Sequence, residues 1–131
     1  MKLRKVSQPP YVSALAVGTS EVNQDQLGKI FQGCGWKLTC ACTRSEAQTF
    51  LQNNPVGVVI AERDLPDGSW RAMLEDLSQQ ADPPRLVVTA RLADDALWAE
   101  VLNMGGYDVL AQPLDAEEVT RVMGAAVRHF R

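Results

Sequence analysis

The chain has 131 residues, 46% of them hydrophobic, which is one domain's length with ample material for one core. A net charge of -3 and a pI of about 5.1 create no field that favours nucleic acid. No apolar run approaches the roughly 18 residues of a membrane span. The basic Lys2, Arg4 and Lys5 are followed by Ser7-Gln8-Pro9-Pro10, not by the apolar stretch of a secretory signal.

Residues 1 to 11 read as an N-terminal tail, with its basic cluster solvated, and residues 12 to 131 as one domain. Val12 to Val17 predict a first strand, and Gly18-Thr19-Ser20 the turn after it. A helix is expected over 21 to 33, with Leu27, Ile30 and Phe31 on one face and Gly35 just past its end. Trp36, Leu38, Cys40 and Cys42 then alternate with Lys37, Thr39 and Ala41, a second strand. Cys40 and Cys42 share a face there. Their spacing suits either a metal or a pair of buried thiols, and buried thiols are expected, because the only histidine, His129, is near the far end of the chain. Three cysteines without an export signal point to free thiols in a reducing compartment, hence the cytoplasm.

Thr43-Arg44-Ser45-Glu46 matches a capping box and opens a second helix carrying Ala47, Phe50 and Leu51, which stops before Pro55. Gly57-Val58-Val59-Ile60-Ala61-Glu62 runs without alternation, as a strand covered on both faces does, and ends on an acid. Pro66-Asp67-Gly68 supplies a turn, which makes Asp64 and Asp67 loop acids, and alternation points Arg63 away from Glu62. Ser69 caps a third helix with Trp70, Met73, Leu74 and Leu77 inward, so Trp70 is read as core. After a loop over 79 to 84, Arg85 to Ala90 form a fourth strand. A fourth helix is expected over 93 to 104 with Leu97, Val101 and Met104 inward, closed by Gly105-Gly106. Tyr107 to Ala111 give the fifth strand, followed by Gln112-Pro113, where either peptide isomer fits. Asp115 with Glu118 caps the last helix, and Leu114 with Val119 staples it. Its stripe is Val119, Val122, Met123, Ala126, Val127 and Phe130, with Arg128, His129 and Arg131 at the end favourable to the dipole. Five strands alternating with five helices through short connections require an α/β fold, one parallel sheet with helices on both faces.

From about residue 12 to 131 the chain resembles the receiver (response-regulatory, CheY-like) domain of bacterial two-component systems. The likeness rests on Leu65-Pro66-Asp67-Gly68 after the third strand, Thr89-Ala90 after the fourth, and Tyr107-Asp108-Val109-Leu110-Ala111-Gln112-Pro113 along and after the fifth. It implies a flavodoxin-like sheet of order 2-1-3-4-5. A receiver of this family takes a phosphoryl group on an aspartate after the third strand. Two acids after the first strand help hold Mg²⁺, a lysine after the fifth contacts the phosphoryl oxygens, a threonine or serine after the fourth follows them, and an aromatic on the fifth swings inward.

In this chain those positions fall on Glu62 for the aspartate, Gly18 and Thr19 for the acid pair, Gln112 for the lysine and Val109 for the aromatic; Thr89 alone matches. Tyr107 is two positions before Val109. Mg²⁺ needs oxygen ligands, usually with one or two carboxylates, and Glu62 is the sole carboxylate left of the three. Gln112 donates a hydrogen bond but carries no charge. Glu62 is one methylene longer than aspartate, and a misplacement of roughly 1 Å costs about 100-fold in rate. The expectation is therefore a receiver-like signalling module, not an enzyme, that acts through protein–protein contacts without aspartyl phosphorylation, catalytic residue, metal or cofactor. Glu62 is either a solvated acid or an imitation of the phosphorylated state, and in either case Thr89 is in reach of it.

The expected partner is another protein or a second copy on the face of the fourth helix, fifth strand and fifth helix; a histidine kinase or an output domain on a longer chain also fits, and nucleic acid and membrane do not. Trp98 and Tyr107 are the candidate interface residues there, Trp98 either as an anchor or packed on the flank of the fifth helix. Two other functions compete. A phosphoacceptor of a two-component phosphorelay would use Glu62 and Mg²⁺. A small-molecule or flavin binder would use the amides of Gly18-Thr19-Ser20, although no Gly-x-Gly-x-x-Gly pattern is present.

Overall fold

A computed structural model describes residues 11 to 128. The tail before Tyr11, with its basic cluster, and His129, Phe130 and Arg131 lie outside the described residues. The main sheet has strands β1 (Ser13–Val17), β2 (Lys37–Ala41), β3 (Val58–Glu62), β4 (Arg85–Ala90) and β5 (Asp108–Ala111). All neighbours pair in parallel, in the order 2-1-3-4-5 that the resemblance implies. The helices are α1 (Glu21–Cys34), α2 (Arg44–Asn53), α3 (Trp70–Ser78), α4 (Asp95–Asn103) and α5 (Ala116–Arg128).

Alternation along each strand divides the core in two. Ala14, Ala16, Val58, Ile60, Val87 and Leu110 meet Leu27 and Phe31 of α1 and Val119, Val122, Met123 and Ala126 of α5. Leu15, Val17, Val59, Ala61, Leu86, Val88 and Val109 meet Ala47 and Leu51 of α2, Trp70, Met73 and Leu77 of α3, and Leu97 and Val101 of α4. Both faces of β3 are therefore covered, which is why its sequence does not alternate. Trp70 is 1% exposed and belongs to the core as expected; truncating it to alanine would cost about 3–5 kcal/mol.

The helix ends follow the predicted chemistry with local differences. Gly35 closes α1 at φ 70°, a left-handed conformation that glycine adopts without strain. Thr43 Oγ1 accepts from Glu46 N at 3.1 Å, but Glu46 Oε1 answers the amide of Cys42, at 2.8 Å, not that of Thr43. Asp115 Oδ2 accepts from Glu118 N at 2.9 Å, and Ser69 caps α3. The α4 cap is Asp94, whose Oδ1 accepts from Leu97 N at 2.9 Å, so α4 starts later than residue 93. Met104 is not inward: it is the C-cap of α4 and 49% exposed, because the helical stripe ends one turn earlier at Val101. The Gln112-Pro113 peptide is cis.

The expected burial of Cys40 and Cys42 is overturned, since both are exposed free thiols, as is Cys34. Cys34 ends α1, Cys40 is on the edge strand β2, and Cys42 lies one residue beyond that strand. Trp36 precedes β2 and is half-buried, with its ring edge-on to Phe31 at 5.5 Å.

Candidate functional site

The carboxyl edge of the sheet brings Gly18, Thr19, Glu62, Thr89 and Gln112 together at the ends of β1, β3, β4 and β5. A crevice of about 680 Å³ opens there, lined by Ser20, Glu62, Arg63, Asp64, Thr89, Ala90, Arg91, Leu92 and Gln112. Glu62 and Thr89 are register partners on adjacent strands. Their side chains nonetheless turn to different partners. Glu62 Oε1 accepts from Thr19 N at 3.2 Å and Oε2 from Ser20 N at 3.0 Å. The carboxylate thus lies across the amino end of α1, where unsatisfied amides and the helix dipole both favour an anion. Thr89, 1% exposed, bonds with Gln112 instead, from Nε2 to Oγ1 at 3.2 Å. The expected contact of Thr89 with Glu62 is therefore replaced.

Gly18 makes this arrangement sterically workable. Its φ is +153°, and a Cβ built on it would lie 2.6 Å from Glu62 Cγ and closer still to the carboxylate. The longer acid at the end of β3 occupies the space that a side chain at position 18 would need. The loop is held by Gln24 Nε2 to Gly18 O at 2.8 Å and by Gly18 N to Ala41 O at 2.9 Å. Ser20 Oγ caps α1 by accepting from Asn23 N at 3.2 Å.

These residues do not fit Mg²⁺. Gly18 and Thr19 offer no carboxylate, and both oxygens of Glu62 already accept backbone amides. Among the described residues, no three His, Cys, Asp or Glu side chains gather to hold a metal. The crevice has two cations at its rim, Arg63 and Arg91, and Arg63 pairs with Asp64 at 3.2 Å and away from Glu62, as alternation predicts.

The remaining expected positions separate. Val109 is 7% exposed within the core and has no ring to swing. Tyr107 precedes β5 at the amino edge of the sheet, the opposite end from the crevice, and stacks under Arg85 at 5.4 Å. Trp98 on α4 is 49% exposed.

A second network surrounds the turn after β3. Asp64–Leu65 and Gly68–Ser69 form a short antiparallel ladder. Asp67 Oδ1 accepts from Arg44 N at 2.9 Å and Oδ2 from Ser45 N at 3.1 Å, so it serves the amino end of α2. The Arg44 amide, then that of Ser45, holds the Asp67 carboxyl below its ordinary pKa despite its exposure. Arg44 answers with Nη1 to Asp67 O at 2.7 Å and a bidentate pair to Asp76 of α3 at 2.8 and 2.9 Å. That pair, foremost through its side-chain hydrogen bond, raises the Arg44 pKa. Asp67 is thus a loop acid as expected, but with a defined partner. Arg44 and Asp76 were missed by the sequence reading, because no short-range signal links residues 32 positions apart.

No family model matches the chain. Solved structures match it closely in shape. A putative response regulator from Chloroflexus aurantiacus superposes with a TM-score of 0.82 at 17% identity, covering 92% of this chain and all of that one. The fold is that of a response-regulator receiver domain. The signal receiver domain of an HD domain-containing protein from Pseudomonas fluorescens matches this receiver fold with a TM-score of 0.80 at 24% identity, over 92% of this chain and 97% of that one. Among curated proteins, the photosynthetic apparatus regulatory protein RegA of Cereibacter sphaeroides is 27% identical over 111 residues, 85% of this chain and 60% of RegA. The probable transcriptional regulatory protein TcrX of Mycobacterium tuberculosis is 28% identical over 128 residues, 96% of this chain and 53% of TcrX. The chain spans little more than half the length of these two relatives. No helix among the described residues is long and apolar enough to cross a membrane.

Proposed function

We propose that this receiver fold is a signalling module of the two-component type that works by protein–protein contact, without aspartyl phosphorylation or Mg²⁺ binding. The single observation that carries the reading is the Glu62 carboxylate seated on the amides of Thr19 and Ser20. A phosphoacceptor must present a free oxygen to the phosphoryl donor, with cations arranged around the equatorial oxygens. Here the acid is turned to α1, its metal partners are Gly18 and Thr19, and the neutral Gln112 bonds Thr89. In this reading the partly exposed Glu62 acts as an internal anion for the amino end of α1 and not as an imitation of the phosphoryl group. The small-molecule reading weakens for the same reason, since the Thr19 and Ser20 amides that would cradle a phosphate are already used.

The contact surface in this reading is the face of α4, β5 and α5, where the half-exposed Trp98 is the anchor. Tyr107, the other candidate there, stands just before β5 and stacks with Arg85. The occupant is a protein, either a second copy, a kinase or an output module, acting in the cytoplasm. The curated relatives, by their names, regulate transcription or the photosynthetic apparatus, which suits a regulatory role for such a module.

The test is an amide-resolved NMR titration with Mg²⁺ and then beryllofluoride, a mimic of the phosphoryl group. A flat response at Thr19, Glu62 and Thr89 is expected. Saturable shifts clustered at those three amides would overturn the reading and install the phosphoacceptor alternative.

A further inference from the structure

The two cysteines of β2 and its exit stand apart from the crevice chemistry. Cys40 and Cys42 are free and exposed, so core packing does not explain them. Cys40 is in register with Ala16, which places it on the α1 side of the sheet's open edge. The strand is still paired at Ala41, in register with Val17 and accepting from Gly18 N at 2.9 Å, and the chain bends at Cys42 and Thr43 on its way into α2. Alternation carried through the paired Ala41 returns Cys42 to the face of Cys40. Glu46 Oε1 fixes the Cys42 amide at 2.8 Å, so the backbone between the thiols is held before any ligand arrives.

We propose that Cys40 and Cys42 form a two-coordinate site for one thiophilic monovalent ion of the Cu(I) class. Two residues of strand separate the Cα atoms by about 6.6 Å. Two metal–thiolate bonds of about 2.3 Å each span roughly 4.6 Å between sulfurs, which side chains on one face at that separation reach. An internal disulfide is less well served, because about 6.6 Å is near the far limit of its Cα range. Zinc is disfavoured by number: it takes four ligands in a structural site, and no three donors gather among the described residues. Soft thiolates select Cu(I), for which two ligands suffice. Binding one ion replaces two S–H bonds by two metal–sulfur bonds and releases two protons, with no change of oxidation state.

The experiment uses the full chain, reduced and anaerobic, titrated with Cu(I) against a chromogenic Cu(I) chelator and followed in parallel by native mass spectrometry. One ion per monomeric chain is expected. Cys40→Ser and Cys42→Ser each lower the affinity by more than the roughly 10–100-fold that loss of an outer-sphere partner costs, and Cys34→Ser leaves it unchanged. Below the thiol pKa, affinity rises by about 100-fold per pH unit, the mark of two protons released. The proposal is overturned by a Cys34→Ser effect as large as the others, by a one-proton pH slope, by an ion shared between two chains, or by affinity indifferent to Cys40 and Cys42. All three substitutions are at exposed positions, and circular dichroism of each variant establishes that it remains folded.

Discussion

Replacing Gly18 by alanine tests the pairing on which the site is built. The new Cβ would stand 2.6 Å from Glu62 Cγ, so the glutamate must leave the amides of Thr19 and Ser20. Two costs follow. A side chain at φ +153° adds about 1–2 kcal/mol of backbone strain. Loss of the carboxylate from a half-buried helix end adds about 1–2 kcal/mol, less than two buried charge-assisted bonds because solvent partly replaces them. Gly18→Ala alone should therefore cost about 2–4 kcal/mol, and Glu62→Ala alone about 1–2 kcal/mol. In the double variant the carboxylate is lost only once. Adding Glu62→Ala to the Gly18→Ala background should then cost nearly nothing, a coupling of about 1–2 kcal/mol. Urea unfolding of the four proteins at 25 °C gives these values directly, provided the m-values agree. Simple additivity, with Glu62→Ala costing the same in both backgrounds, would show that the two residues do not share this space.

Three further outcomes follow from the geometry. Arg44→Ala should destabilise by about 1–3 kcal/mol, because the Arg44–Asp76 pair is bidentate and its side chains are 26% and 13% exposed; urea unfolding checks this, and a loss under about 0.5 kcal/mol would relegate the pair to surface decoration. The Asp67 carboxyl has a lowered folded-state pKa, so its contribution is present above about pH 4 and lost as pH falls through that lower value. The stability difference between wild type and Asp67→Asn should accordingly shrink on acidification from pH 5 to 3, and a difference that grows would contradict the assigned bonds. Trp98→Ala should cost about 1 kcal/mol or less in stability while weakening any partner or self-association measured by analytical ultracentrifugation. Association unchanged by that substitution would move the contact surface away from α4.

The fold was legible because its signals are local. The unbroken run of β3, the Gly35 stop and the Thr43 cap each depend on a few neighbouring residues, and five such units leave little choice of architecture. The positions that meet at the carboxyl edge were also legible, through the resemblance. What the side chains do there was not. Whether Glu62 reaches Thr89 or the α1 amides depends on the volume left by a glycine 44 positions earlier, which no periodicity encodes. The cysteines illustrate the same limit: alternation gives an expected face, but not that β2 is an edge strand ending before Cys42, where both thiols are exposed. Met104 failed for a smaller reason, since a helical stripe continued on paper past the residue where the helix ends.

The division between what resembles the family and what departs from it has a structural basis. Leu65 is 7% exposed and part of the core beneath the turn. Asp67 caps the start of α2 and receives Arg44, which in turn grips Asp76 on α3, so the turn joins two helices to the end of β3. None of these contacts includes an atom of the crevice chemistry. Losing one would be felt as lost stability whether or not a phosphoryl group is ever bound. Glu62, Gly18 and Gln112 are under a different constraint. Each is acceptable provided the anion, the amides and the buried Thr89 hydroxyl are satisfied, and the structure satisfies them internally. A site closed in this way loses nothing in stability by having no ligand, whereas an aspartate cluster without its cation would carry like-charge repulsion at the same spot. The pocket of this receiver fold therefore has its anion, its amides and its buried hydroxyl satisfied from within the chain.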